Sequence, residues 1–194
     1  MKSDESILLG KKPKTSLYVG QAYWVYRDLP AIPDTFDEKD MARHLWAVPS
    51  PPGYLNIFDD NVYQSFIDNI KKLHEETEYA IVLSVGCSLL EKGNFLRGIE
   101  NFLCDIYLDK NGTERLLDKL VEGYMELLDR VIKGVGKYVD LLQFGDDLGT
   151  QGGPFISPDV LKKIFKPRYK KMWDFVHDKS DCKIFLHSCD LYMN

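Results

Sequence analysis

Two residues near the end of the printed sequence, His187 and Cys189, are of types that bind zinc. They are two positions apart, so in an extended strand both side chains point to one face. Imidazole and thiolate are the commonest protein ligands of zinc. One His-x-Cys pair supplies only two ligands, however, and the same spacing also fits a buried cysteine beside an ordinary histidine.

Asp146 and Asp147 follow the short apolar run 141–144, which Gly145 ends. A run of this length predicts a buried strand rather than a helix. The two carboxyl groups are the candidate catalytic residues, although Asp beside Gly is also ordinary turn chemistry.

A second strand and a helical crossover are predicted after this acidic pair. Ser157 followed by Pro158 is typical of a helix start, because the hydroxyl can accept from a free backbone N–H and proline gives up a donor that has no partner there. Pro167 is expected to restart or kink the helix. The run 183–186 is the next strand. Strand, helical crossover and strand make a parallel βαβ unit.

A third strand is predicted at 79–85, where Gly86 ends a β-branched run and places Cys87 at the carboxyl end. Helical sequence separates the strands that begin near 79, 139 and 183, which indicates a parallel α/β fold. In a parallel α/β barrel the loops at this edge carry the chemistry. Cys87, Asp146 or Asp147 could complete a three-ligand metal site there.

Helical spacing of apolar residues indicates further helices. Asp59 or Asp60 can cap a first helix, apolar residues from Phe95 to Ile106 mark a second, and a long helix is expected to open at Thr113.

Composition limits the classes of function. A chain of 194 residues favours a single domain that spans residues 1–194. The net charge of −5 gives no sign of the basic surface that binds nucleic acid. No apolar run approaches the roughly 20 residues that cross a bilayer, and no signal-peptide core is present, so we expect a cytoplasmic protein with no membrane contact. The four cysteines lack C-x-x-C spacing and are better interpreted as core thiols or ligands than as disulfides.

The combination of motifs resembles the uroporphyrinogen decarboxylase superfamily, and within it the branch of cobalamin-linked (corrinoid) methyltransferases. The resemblance covers roughly residues 35–189 and leaves 1–34 as an irregular N-terminal segment with short runs at Leu17–Val19 and Tyr23–Tyr26 that could be strands. Its motifs are S-V-G-C at 84–87, L-R-G-I-E-N-F at 96–102, G-D-D-L-G-T-Q at 145–151, I-S-P at 156–158, K-P-R-Y at 166–169 and F-L-H-S-C at 185–189.

The resemblance implies a (β/α)8 TIM barrel, and family members are considerably longer than this chain, so we expect a partial and incomplete barrel. In the methyltransferases a His-x-Cys pair and a later cysteine hold zinc, which activates a thiol to accept a methyl group from a methylcorrinoid carried by a partner protein. His187 and Cys189 match the first two positions, and the later cysteine has no counterpart here.

Two alternatives stay open. In a porphyrinogen carboxy-lyase, Asp146 and Asp147 would accept pyrrole N–H groups, and Arg97 or Arg168 would bind carboxylates, although that branch's R-Q-A-G-R run is absent. Gln151, at the end of its motif, and Arg97 are the expected substrate-binding residues. An inactive half-barrel would instead bind a small molecule, form a homodimer or pair with a complementary barrel fragment.

Overall fold

A computed structural model of the protein describes residues 60–150 and 152–188, together with two strands nearer the N-terminus. These strands, β1 (Ser16–Val19) and β2 (Tyr23–Tyr26), pair antiparallel. They coincide with the short runs that the sequence offered as strands. Two candidate site residues, Gln151 and Cys189, lie outside the described residues.

The described residues from 60 to 188 form both helices and strands. No helix within the described part of the chain is both long and apolar enough to cross a membrane. The elements are α1 (Asp60–Glu76), β3 (Val82–Gly86), α2 (Leu90–Arg97), α3 (Ile99–Leu108), α4 (Lys110–Val135), β4 (Leu141–Gly145), β5 (Gly149–Thr150), β6 (Gly153–Pro154), α5 (Pro158–Val160), a π-helical turn (Leu161–Phe165), α6 (Lys166–Lys179) and β7 (Lys183–His187).

Three of these strands form a parallel sheet in the order β3-β4-β7. Leu141 at the start of β4 is in register with Val82 on one side and Lys183 on the other. A register shift between Ser84 and Gly86 interrupts the β3–β4 ladder. The protein is therefore a mixed α/β protein with a parallel sheet, as the sequence predicts.

One face of this sheet is buried. Leu142 and Phe144 of β4 belong to the core, and Phe144 meets the indole of Trp173 on α6 edge to face at a centroid distance of 6.3 Å. On the opposite face, Val82 of β3 and Phe185 of β7 are 51% and 47% exposed. Parallel sheets are usually covered on both faces, so this exposed face is unusual for a parallel sheet.

The longest helix, α4, supplies most of the helical core. Its buried stripe includes Leu117, Leu120 and Leu128, none of which is exposed. It begins at Lys110, three residues before the predicted start, because the Asp109 side chain accepts from the backbone N–H of Gly112 at 2.9 Å and caps the first turn.

The crossover from β4 to β7 begins as predicted. The Ser157 hydroxyl accepts from the backbone N–H of Val160 at 3.3 Å, with Pro158 at the first helical position. The helix then passes through the π-helical turn, in which the N–H of Lys166 bonds to the carbonyl of Leu161. Pro167 lies two residues after this turn, so the wider turn comes just before the residue that lacks an N–H donor.

Candidate functional site

The parallel strands β3, β4 and β7 end at one edge of the sheet. Gly145 of β4 is in register with His187 of β7, and the next residue, Asp146, donates its backbone N–H to the His187 carbonyl at 3.0 Å. The loop after Asp146 is tied to the same strand, because the Ser188 hydroxyl accepts from the N–H of Leu148 at 3.3 Å. The acidic loop and the start of the His-x-Cys motif therefore lie side by side.

The Asp146 carboxylate is buried, at 1% exposure, and hydrogen-bonds to two other parts of the chain. It accepts from the backbone N–H groups of Leu89 at 2.6 Å, Leu90 at 2.8 Å and Glu91 at 2.7 Å, which lie at the start of α2. It also accepts from the Tyr169 hydroxyl on α6. Asp146 therefore links β4, α2 and α6.

Burial raises the pKa of Asp146, and the bonds donated by Tyr169 and by the three amides act in the opposite direction. All four partners are donors, so the site accommodates the ionised carboxylate. Burial, together with the charge of Asp146, also raises the pKa of Tyr169 well above its ordinary value, which keeps that hydroxyl protonated as the donor.

The loop between β3 and α2 has an uncommon backbone. Gly86 and Cys87 both lie in the left-handed region, with φ of 66° and 53°. A non-glycine residue there is uncommon and costs about 1 kcal/mol or more. A second anchor holds this loop, because the Tyr124 hydroxyl of α4 donates to the carbonyl oxygen of Ser88 at 2.7 Å.

Cys87 lies at the carboxyl end of β3, as predicted, but its thiol is buried. Its Sγ lies 3.5 Å from the carbonyl oxygen of Val85, and burial raises the pKa of the thiol well above its ordinary value. Zinc binds the thiolate form of cysteine. The surroundings of Cys87 therefore favour the form that does not bind metal.

Two titratable residues in the first turn of α2 were missed by the sequence analysis. Burial, reinforced by the charges of Asp146 and Asp147, raises the pKa of Glu91 to about 7. Burial lowers the pKa of Lys92, which is 2% exposed, to about 7, while the charges of Glu91 and Cys87 act against that change. Strongly perturbed neighbours of this kind are typical of functional sites, although structural networks also produce them.

The sequence contained one usable signal for this pair. Glu91 and Lys92 come four and five positions after Cys87, so charged residues follow soon after the carboxyl end of a predicted strand. The predicted helix begins only at Phe95, so the prediction places positions 88–94 in no helix or strand.

The other candidate residues are arranged as follows. Asp147 is half-buried in the loop after β4, and His187 is exposed at the end of β7. Arg97, at the end of α2, forms an ion pair with Asp105 through its Nε at 2.7 Å, so its guanidinium is engaged inside the protein.

Among the residues that the structure describes, no three His, Cys, Asp or Glu side chains are placed to hold a metal ion.

Arg168 belongs to a separate surface network. Its guanidinium contacts Asp118 at 2.8 Å, donates to the carbonyl oxygen of Ile164 at 2.5 Å and lies 3.9 Å from Glu114. These contacts join α6 to α4, and they agree with the structural interpretation of Arg168 rather than with substrate binding.

Comparison of the chain with models of known protein families, with curated proteins and with solved structures gives no significant match. The geometry of the strand ends is therefore the basis for any functional conclusion.

Proposed function

We propose that the protein transfers a methyl group from a methylcorrinoid, carried by a partner protein, to a thiol, at the carboxyl edge of the parallel sheet. One observation supports this proposal most directly. The acidic loop after β4 and the end of β7, which carries His187, meet at that edge, where the Asp146 backbone nitrogen and the His187 carbonyl oxygen are 3.0 Å apart.

Zinc would be held by His187 and Cys189. The imidazole of His187 suits this role, because it is exposed at a strand end and can be reached by an ion and by a substrate. Cys87 is a poor third ligand, since its thiol is buried and burial raises the pKa of that thiol well above its ordinary value. The remaining ligands would therefore come from outside the described residues. The metal would stabilise the thiolate form of the acceptor, which is the nucleophilic form.

Metal analysis of purified variants tests this proposal. The protein, produced in zinc-replete medium, is expected to retain close to one equivalent of zinc. The variants His187→Ala and Cys189→Ser are expected to lose most of it. His177 is exposed on α6, away from the sheet edge, so His177→Ala is the matched control and should keep its zinc.

A methyl-transfer assay supplies the second readout. Methylcobalamin and a small thiol, mixed with the protein, should show loss of the methylcobalamin spectrum at a rate that falls at least tenfold in His187→Ala. Less than a tenth of an equivalent of zinc in the unmodified protein, with no effect of His187→Ala on the rate, would reject the proposal.

The carboxy-lyase alternative finds less support in the geometry. The two oxygens of Asp146 already accept from four donors, so they have little capacity left for pyrrole N–H groups. Arg97 is engaged by Asp105. Release of CO2 from uroporphyrinogen by the purified protein would revive this alternative.

The exposed sheet face favours a second candidate function, in assembly. The face carries exposed side chains of β3 and β7, among them Val82 and Phe185. We propose that a complementary fragment of an α/β barrel covers it, since exposed apolar surface promotes association. Light scattering tests this idea. A stable monomer that binds no partner would reject an assembly role. A homodimer would mean that a second copy of the protein, rather than a barrel fragment, covers the exposed sheet face.

A further inference from the structure

The start of α2 has no cap of its own. Leu89 occupies the capping position, and its side chain cannot accept a hydrogen bond. Leu89 and Leu90 are fully buried, so water cannot satisfy the N–H groups of this first turn. An unsatisfied buried amide costs about 1–3 kcal/mol. The first turn of α2 can therefore form here only because the carboxylate of Asp146, in the loop after β4, accepts these bonds.

We infer that Asp146 is a positioning residue, which fixes the first turn of α2 so that the Glu91 side chain is held near Asp147 at the carboxyl edge of the sheet. The bonds of Asp146 fix both ends of this arrangement. Its Oδ2 accepts from Leu89 and Leu90, and its Oδ1 accepts from the backbone N–H of Glu91 itself. Any movement of the Asp146 carboxylate would move the backbone that carries Glu91.

The surroundings of the loop support this inference independently. Two consecutive residues, Gly86 and Cys87, have positive φ, and the Tyr124 hydroxyl holds the next carbonyl, that of Ser88. Uncommon backbone conformations persist where the surrounding structure fixes them from several sides, and they concentrate at functional sites. The loop before Glu91 is therefore held by contacts from two different elements, β4 and α4.

The Tyr169 hydroxyl completes the arrangement from the other side. It donates to the same Oδ2 that accepts from Leu89 and Leu90, and its ring stacks on Trp173 at a centroid distance of 5.5 Å. Trp173 in turn packs against Phe144, two residues before Asp146 on β4. The packing of α6 on the sheet thus fixes the position of the Tyr169 hydroxyl. Removal of this hydroxyl should leave the Asp146 carboxylate in place with one hydrogen bond fewer.

This inference deepens the proposed function, on which it rests only for locating the reaction at this edge. It gives Asp146 no direct contact with substrate, because four donors already occupy its oxygens. The carboxyl groups left to face a substrate are those of Asp147 and Glu91, both of which are partly exposed.

The conservative variant Tyr169→Phe is the central test, since it removes one of the four donors and leaves the carboxylate and the three amides in place. Hydrogen exchange measured by NMR should show the amides of Leu89, Leu90 and Glu91 exchanging roughly tenfold faster, with the amides of α4 unaffected. The titration midpoint of the Glu91 carboxyl carbon, assigned with Glu91→Gln, should move by at least half a pH unit.

Tyr63→Phe is the matched control. The Tyr63 hydroxyl donates to the carbonyl oxygen of Arg130 at 2.7 Å, which joins α1 to α4, so its removal should change neither readout at α2. Asp146→Asn should produce a larger effect in the same direction as Tyr169→Phe. If Asp146→Asn fails to fold, Tyr169→Phe still decides the question.

Unchanged amide exchange and an unchanged Glu91 midpoint in Tyr169→Phe would overturn the inference. A general loss of protection throughout the core would also overturn it, because the carboxylate would then support overall stability rather than the placement of Glu91. Both readouts are made without zinc, corrinoid or thiol. A failure of methyl transfer would therefore not contradict the positioning role of Asp146. Equally, a failure of the exchange and titration readouts would not contradict methyl transfer.

Discussion

The Tyr124 hydroxyl donates to the carbonyl oxygen of Ser88 at 2.7 Å, across 36 positions of sequence. Both groups are buried, and the bond ties the middle of α4 to the loop that leads into α2. Burial, reinforced by the nearby Cys87 and Asp146, raises the pKa of Tyr124 well above its ordinary value. The hydroxyl is therefore protonated and a donor at neutral pH.

The variant Tyr124→Phe should lower the free energy of unfolding by about 1–2 kcal/mol, because it leaves the Ser88 carbonyl buried without its donor. Urea denaturation at constant pH measures the change. Tyr63→Phe removes a comparable but only part-buried bond, so it should cost less. Equal losses of unfolding free energy in the two variants would contradict a special contribution of the hydrogen bond between Tyr124 and Ser88.

Glu91 should make stability fall as pH rises through the acid-to-neutral range. The pKa of its carboxyl is about 7 in the folded protein, against an ordinary value of 4.5. The folded protein therefore keeps a proton that the unfolded chain loses, and stability decreases between these two values. Glu91→Gln should remove roughly 3 kcal/mol of this dependence, as judged by urea denaturation at several pH values.

The contribution of Glu91 depends on its neighbours. Asp146 and Asp147 raise its pKa, while Lys92 and a hydrogen bond with Ser88 lower it. The exposed Glu126 on α4 offers a control, and Glu126→Gln should leave the pH profile unchanged. A profile that is the same in Glu91→Gln and in the unmodified protein would show that this carboxyl is not perturbed.

Lys92 should make stability rise with pH, which is the opposite of the Glu91 effect, and should do so at higher pH. Burial lowers its pKa from 10.5 to about 7, so the unfolded chain holds a proton that the folded protein has lost between these values. Stability should therefore rise with pH across this range. Lys92→Met should abolish a rise of roughly 5 kcal/mol, whereas Lys119→Met, at an exposed position of α4, should not.

The sequence predicted the framework of the site because its signals are local. The short runs ending at Gly86, Gly145 and His187 are strands in the structure, and the parallel order follows from the helical crossovers between them. The meeting of Asp146 with His187 at one edge was predicted on this basis. Strand β3, however, begins at Val82 rather than at the predicted Tyr79.

The start of α2 was not predictable for a physical reason. Sequence signals for a helix start depend on a capping side chain next to the first turn, and Leu89 offers none. Asp146 supplies the missing acceptor from 55–57 positions further along the chain. No capping signal therefore places Glu91 and Lys92 in the first turn of a helix, and the bonds that Asp146 accepts join positions too far apart in the sequence to be predicted from it.

The contact between α2 and α3 provides a test of the packing around this turn. Gly93 is buried on α2, and a Cβ added there would lie 2.1 Å from Cε1 of Phe102 on α3. Phe102 is fully buried, so its ring has little room to move away. Gly93→Ala should therefore destabilise the protein by about 2 kcal/mol, although alanine is the better helix former by about 1 kcal/mol.

Two comparisons make this prediction specific. A Cβ at Gly145 would meet no atom within 4 Å, so Gly145→Ala should change the free energy of unfolding by less than about 0.5 kcal/mol. Combining Gly93→Ala with Phe102→Leu should cost less than the sum of the two single changes, because the smaller side chain relieves the overlap. Urea denaturation of all four variants measures these differences. A Gly93→Ala variant as stable as the unmodified protein would mean that α2 and α3 are further apart than the structure has them.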